Sequence, residues 1–140
     1  MKFFLSFIPP SKANRVKIKS KRYIIPKDVS LKINKAIWEL RLQQEKYKKT
    51  FKEPVEVKII FILPNKRRRD LDNIMKTLGD CLVYANIIQD DNLIFKQNLE
   101  KLIVPGEEGI IIDIKGYKGI KNFNKIIDDL KKYKDRLNGI

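Results

Sequence analysis

Val55-Glu56-Val57-Lys58-Ile59-Ile60-Phe61-Ile62-Leu63-Pro64-Asn65-Lys66-Arg67-Arg68-Arg69-Asp70-Leu71-Asp72-Asn73 is the stretch on which the fold turns. Its first nine residues are rich in β-branched side chains and follow Pro54, which is the clearest strand signature in the chain. The run opens by alternating with Glu56 and Lys58, then becomes apolar on both faces. That pattern predicts a strand in the middle of a sheet. Pro64-Asn65 ends it. A knot of charge follows: three arginines, two carboxylates separated by one residue, and an amide. Carboxylates that close repel each other unless a cation lies between them. A divalent metal and the adjacent arginines are both candidates for that cation. Loops at the end of a rigid strand are frequent seats of function.

On the N-terminal side, Lys2 to Ile8 reads as a first strand, stopped by the loop Pro9-Pro10-Ser11-Lys12-Ala13-Asn14. Lys12, Arg15, Lys17, Lys19, Lys21 and Arg22 then form a basic stretch, either a solvated loop or a set of phosphate contacts. A helix is expected from Asp28 or Ser30, each a good cap, with Ile33, Ile37, Leu40, Gln44 and Tyr47 on one face and Trp38 beside it. These apolar residues read as core.

On the C-terminal side, Leu71, Ile74, Met75, Leu78, Leu82 and Ala85 define a second helix starting near Asp72 or Asn73. Asp72, Lys76 and Asp80 follow one another at four-residue spacing on its opposite stripe. Asn86 can take the left-handed position that closes it. The acid-rich turn Ile87-Ile88-Gln89-Asp90-Asp91-Asn92 leads to a strand carrying Leu93, Phe95, Leu99 and Ile103. A turn at Pro105 to Gly109 returns the chain as a strand over Ile110 to Tyr117. Ile120, Phe123, Ile127, Leu130 and Leu137 mark a final amphipathic helix.

The 140 residues suit a single domain, and an apolar fraction of 43% can build its core. No apolar run reaches transmembrane length. The start Met1 to Pro10 lacks the long apolar run and small-residue cleavage site of a signal peptide, so a cytoplasmic protein is expected. Lysine and arginine total 31 against 17 acids, a formal charge of +14. A polyanionic partner accounts for that excess, as does a generally lysine-rich proteome. The absence of histidine removes Ser-His-Asp and Cys-His catalysis and histidine-based metal nucleases. The single Cys81 rules out an intrachain disulfide and a cysteine zinc site. Without a phosphate-binding G-x-x-x-x-G-K-[ST] loop, no nucleotide cofactor is expected. Any catalysis would therefore rest on carboxylates and lysines, with or without a hard cation. Mg²⁺ takes one or two carboxylates, several waters and a substrate phosphate. Asp70 and Asp72 can supply such ligands, with Asp91 arriving from the next connection. Asp-x-Asp alone is weak, because capping and surface ion pairing explain most instances.

The surrounding pattern is more specific. Arg67-Arg68-Arg69-Asp70-Leu71-Asp72-Asn73 followed by Lys76, Asp80 and Asp90-Asp91, with Pro9-Pro10-Ser11 and Asn14 upstream, resembles the RusA family of Holliday junction resolvases. These are phage- and prophage-type endonucleases that cut four-way DNA junctions in recombination and repair. The resemblance runs from about Phe3 to Lys115. It implies an α+β fold with a mixed β-sheet packed with α-helices, in agreement with the element order above. It implies a resolvase domain over 1–117, with 118–140 as a C-terminal helical extension. By resemblance, Asp70, Asp72 and Asp91 match the family's catalytic metal-binding acids and Lys76 its essential lysine. Arg69 matches a basic residue beside the site. Asp90 is the first of the paired acids, and Asp80 a recurrent helix acid best read as a partner for Lys76. The implied cofactor is Mg²⁺, with Mn²⁺ as substitute, and the implied assembly is a homodimer that nicks two symmetry-related strands.

Lys12, Arg15, Lys17, Lys66, Arg67, Arg68 and Arg69 are the candidate DNA-binding residues. Two other functions remain open at the level of sequence. One is a non-catalytic binder of branched DNA using the same basic surface; the other is a nuclease of broader flap or fork specificity.

Overall fold

The computed structural model describes residues 1–11, 16–17, 23–24 and 27–139. Its elements in chain order are β1 (Lys2–Leu5), β2 (Val16–Lys17), β3 (Tyr23–Ile24), α1 (Lys27–Tyr47), β4 (Val55–Leu63), α2 (Leu71–Tyr84), a 3₁₀ turn (Asp91–Leu93), β5 (Ile94–Ile103), β6 (Gly109–Gly116) and α3 (Phe123–Asn138). Four strands form one mixed sheet in the order β1-β6-β4-β5, and β2 pairs with β3 in a separate two-stranded ladder. The chain is α+β, with the expected C-terminal helix present.

β4 is interior to the sheet, as its composition predicts, between parallel β5 and antiparallel β6. Among the described residues, only one of its faces is fully buried. Val55, Val57, Ile59, Phe61 and Leu63 are buried, whereas Lys58 is exposed and Glu56, Ile60 and Ile62 are half-buried. The buried face joins a single core with Phe3, Leu5, Ile33, Leu40, Leu78, Leu82, Ile110, Ile112 and Ile114. Helices therefore cover one side of the sheet, and Glu56 on the other side bridges Lys96 and Lys115 at 3.7 and 3.8 Å.

The first strand is shorter than its sequence suggests. Its pairing with β6 ends at Leu5, and beyond it Glu39 accepts from the Ser6 backbone N at 2.9 Å and from its Oγ at 2.8 Å. α1 starts at Lys27, just before the expected caps, and buries Val29, Ile33, Ala36, Leu40 and Gln44. Trp38 stays 60% exposed.

Parallel strands need a crossover between them. α2 supplies it, so the β4-α2-β5 unit dictates where the charged segment goes. Asn86 takes the left-handed conformation at φ 60°, ending α2 as expected. Its carbonyl accepts from Gln44 Nε2 at 2.8 Å and from Thr50 Oγ1 at 2.7 Å. The Phe51 backbone meanwhile donates to Ile87 O and accepts from Gln89 N, each at 2.9 Å. The turn before Asp90 and Asp91 is thus tied from two sides to buried structure.

α3 is strongly amphipathic, yet none of its residues is buried. Among the described residues, no helix is long and apolar enough to cross a membrane.

Candidate active site

Asp70 is the N-cap of α2. Its backbone is extended, and its Oδ1 accepts from the backbone N of Asp72 at 3.1 Å and of Asn73 at 3.4 Å. Oδ2 accepts from Asn73 Nδ2 at 2.8 Å. A side-chain oxygen here satisfies helix N–H groups that otherwise lack partners, and the negative charge suits the positive end of the helix dipole. Asn73, one of the two helix starts expected from sequence, contributes by gripping the capping carboxylate. The helix starts at Leu71, two residues from the more C-terminal of the starts expected from sequence, because Asp70 rather than Asp72 takes the cap.

Capping leaves Asp72 free of that duty, and its side chain lines a cavity of about 410 Å³ between α2 and the first half of β5. Met75, Lys76 and Gly79 complete the helix wall, while Asp91, Ile94 and Gln97 form the opposite one. Among the described residues, the ion pairs within 4 Å belong to Glu56 rather than Lys76. The ammonium is therefore available to the cavity it lines.

Asp91 is presented by the 3₁₀ turn. Asp90 caps that turn, accepting from Asn92 N at 2.9 Å. Opposite lies Gly79, where an added Cβ would sit 3.8 Å from Asp91 Cβ. The absence of a side chain there opens the helix wall towards the acid. The Asp91 carboxyl is held above its ordinary pKa, first by a hydrogen bond shared with the Asp90 side chain, then by partial burial and the charges of Asp90 and Asp80. The backbone N–H of Asn92 acts in the opposite direction. Asp80, Asp90 and Asp91 also line a neighbouring cavity of about 210 Å³ with Val83, Tyr84 and Gln89.

The structure thus brings Asp72, Lys76 and Asp91 into one cavity, while the Asp70 carboxylate is turned to the helix end and does not line it. Among the described residues, no three potential ligands of Asp, Glu, Cys or His type close around a single point. Two carboxylates facing an open, solvated cavity still fit a hard cation that keeps most of its waters. Lys66, Arg67 and Arg68 are exposed, and Arg69 is half-buried. Asn65 orders this segment, its Oδ1 accepting from Arg67 N at 3.0 Å and from Arg69 Nη1 at 3.4 Å. Lys12 and Arg15 lie outside the described residues; Lys17 belongs to β2, opposite Tyr23.

Sequence reasoning misses four wall residues: Met75, Gly79, Ile94 and Gln97. Gln97 becomes legible only once the register of β5 is known. Side chains alternate along a strand, and Gln97 pairs with Val57, whose side chain is on the helix-covered face.

The profile of the family described as Endodeoxyribonuclease RusA matches residues 7–115, which include every wall of this cavity and exclude α3. The chain is 38% identical over 120 residues to a protein of Aquifex aeolicus (strain VF5) named Crossover junction endodeoxyribonuclease RusA, covering 84% of this chain and 93% of that one. It is 35% identical over 83 residues to the crossover junction endodeoxyribonuclease rusA of Enterobacteria phage HK97, covering 59% and 68% respectively. With the match spanning most of the chain and the cavity lying inside it, this protein belongs to the RusA family of endodeoxyribonucleases.

Proposed function

We infer that this chain is a crossover junction endodeoxyribonuclease that hydrolyses phosphodiester bonds to resolve four-way DNA junctions. The observation that carries the reading is the convergence of Asp72, Lys76 and Asp91 on one cavity inside the family-matched span. RusA-type nucleases depend on a divalent metal, and we take Mg²⁺ as the ion, with Mn²⁺ as its substitute. Asp72 and Asp91 would hold it, with Asp70 joining them if its carboxylate turns away from the helix end. When bound, the ion supplies neutralising charge for a phosphate and acidifies water.

The chain's own groups do the rest. Lys76, one helical turn from Asp72, neutralises charge that builds on the phosphate during in-line attack. Lys66, Arg67, Arg68 and Arg69, and the Lys12, Arg15 and Lys17 stretch, bind the flanking backbone as sequence-independent phosphate contacts. A homodimer in the cytoplasm would place two such cavities on the two strands to be cut.

The test is a synthetic four-way junction in Mg²⁺. Paired nicks by the wild type, lost in Asp91→Asn and in Asp70→Asn with junction binding retained, would support the assignment. Undiminished cutting by the Asp91 variant would remove that residue from the site. Equal cutting of flaps and junctions would replace junction selectivity by a broader one.

A further inference from the structure

Among the described residues, Gln97 is the one uncharged polar side chain lining the Asp72–Lys76–Asp91 cavity. β5 fixes its direction. Gln97 lies opposite Val57, on the sheet face that α2 covers, so its side chain reaches towards the helix wall that bears Lys76. The residue is exposed, and among the described residues no group bonds its carboxamide. Nothing in the described part of the fold uses this amide.

A phosphodiester entering the cavity is an anion moving between two carboxylates. It needs hydrogen-bond donors that those carboxylates do not capture first. A lysine or arginine at this position would pair with Asp72 or Asp91 and compete for the groups that hold a cation. An amide carries two N–H donors and no charge, so it can bind a phosphate oxygen without that competition. Lys76 and Gln97 lie on opposite walls, and together they can bracket one phosphate.

We propose that Gln97 is a further catalytic residue, its Nε2 donating a hydrogen bond to a non-bridging oxygen of the scissile phosphate. This rests on the nuclease reading above. The bond strengthens as charge accumulates on that oxygen, so its contribution is to the rate of cutting rather than to junction affinity.

Single-turnover cleavage of a four-way junction tests the proposal, using wild type, Gln97→Ala and the near-isosteric Gln97→Glu. Both variants are expected to retain the wild-type thermal midpoint and a junction Kd, measured without divalent metal, within about twofold of wild type, since one exposed side chain changes. Gln97→Ala should cut roughly 100-fold more slowly, the typical effect of deleting one such donor. Gln97→Glu, an acceptor of similar shape, should cut no faster than Gln97→Ala.

Sulfur gives the sharper readout, because it accepts hydrogen bonds poorly. Junctions with either phosphorothioate diastereomer at the scissile position are cut in Mn²⁺, which relieves sulfur effects that arise at the metal. One diastereomer should still slow the wild type, and Gln97→Ala should abolish that residual slowing. Wild-type cleavage by Gln97→Ala, or a residual sulfur effect unchanged in it, would overturn the role. A wild type that leaves every junction uncut would instead sink the nuclease reading itself.

Discussion

Asp70 has a structural duty before any chemical one. Its carboxylate holds the first turn of α2 through two backbone N–H groups and Asn73 Nδ2. Asp70→Ala should therefore lower stability by about 1 kcal/mol, whereas Asp70→Asn, which keeps an acceptor, should cost only a few tenths. Urea denaturation of the two variants checks this, and a parallel loss of cutting in both would separate charge from capping. Asp72 and Asp91 face the cavity instead, so a divalent cation should bind and stabilise the folded chain. At ten times its Kd, Mg²⁺ should add about 1.4 kcal/mol by mass action. Asp91→Asn should weaken that gain, a result visible as a thermal shift with no DNA present. At this scale the spacing of Asp70, Asp72, Lys76 and Asp91 was legible in the sequence, but their division of labour was not. Capping and ligation demand the same residue types, and only the start of α2 at Leu71 separates them. Gln97 was missed because one glutamine in a strand carries no signal until the strand's register against β4 is known.

At the scale of elements, α2 and β5 make the site and β4 anchors them. Gly79 is buried within α2, where glycine weakens a helix. An alanine Cβ would meet Asp91 Cβ at 3.8 Å, an ordinary contact. Gly79→Ala should thus fold as well as the wild type or gain up to about 1 kcal/mol from helix propensity, and still cut. Gly79→Leu should push into the Asp91 wall and lose cutting while retaining the fold, a contrast that circular dichroism and a junction assay resolve together. β4 tolerates no such change. Phe61 is fully buried at the centre of the sheet, and Phe61→Ala should cost about 3–5 kcal/mol in a denaturation experiment. Hydrophobic pattern revealed β4 as a central strand, because a β-branched run without breaks has few other uses. It misled about the second face: Ile60 and Ile62 are apolar but only half-buried. Periodicity reports polarity, not what covers a strand.

The whole molecule is a basic body of formal charge +14 with an acid-lined cavity at one edge of its sheet. Such a surface gathers DNA through its phosphates, so junction affinity should fall steeply as salt rises. Titrations between 50 and 200 mM salt should show at least a tenfold loss. Fold class was readable from the order of elements, and the cavity's charged residues from the family resemblance that their spacing carries. The placement of α3 was not, since an amphipathic helix announces an apolar face without naming its partner. The measurement that bears most directly on the central claim is cleavage of a four-way junction in Mg²⁺ by the wild type and by Asp91→Asn, with binding followed in the same samples. Paired nicks by the wild type, and binding without cutting by the variant, are the predicted result. Junctions bound but uncut by the wild type in either Mg²⁺ or Mn²⁺, or cut equally by the variant, would contradict it.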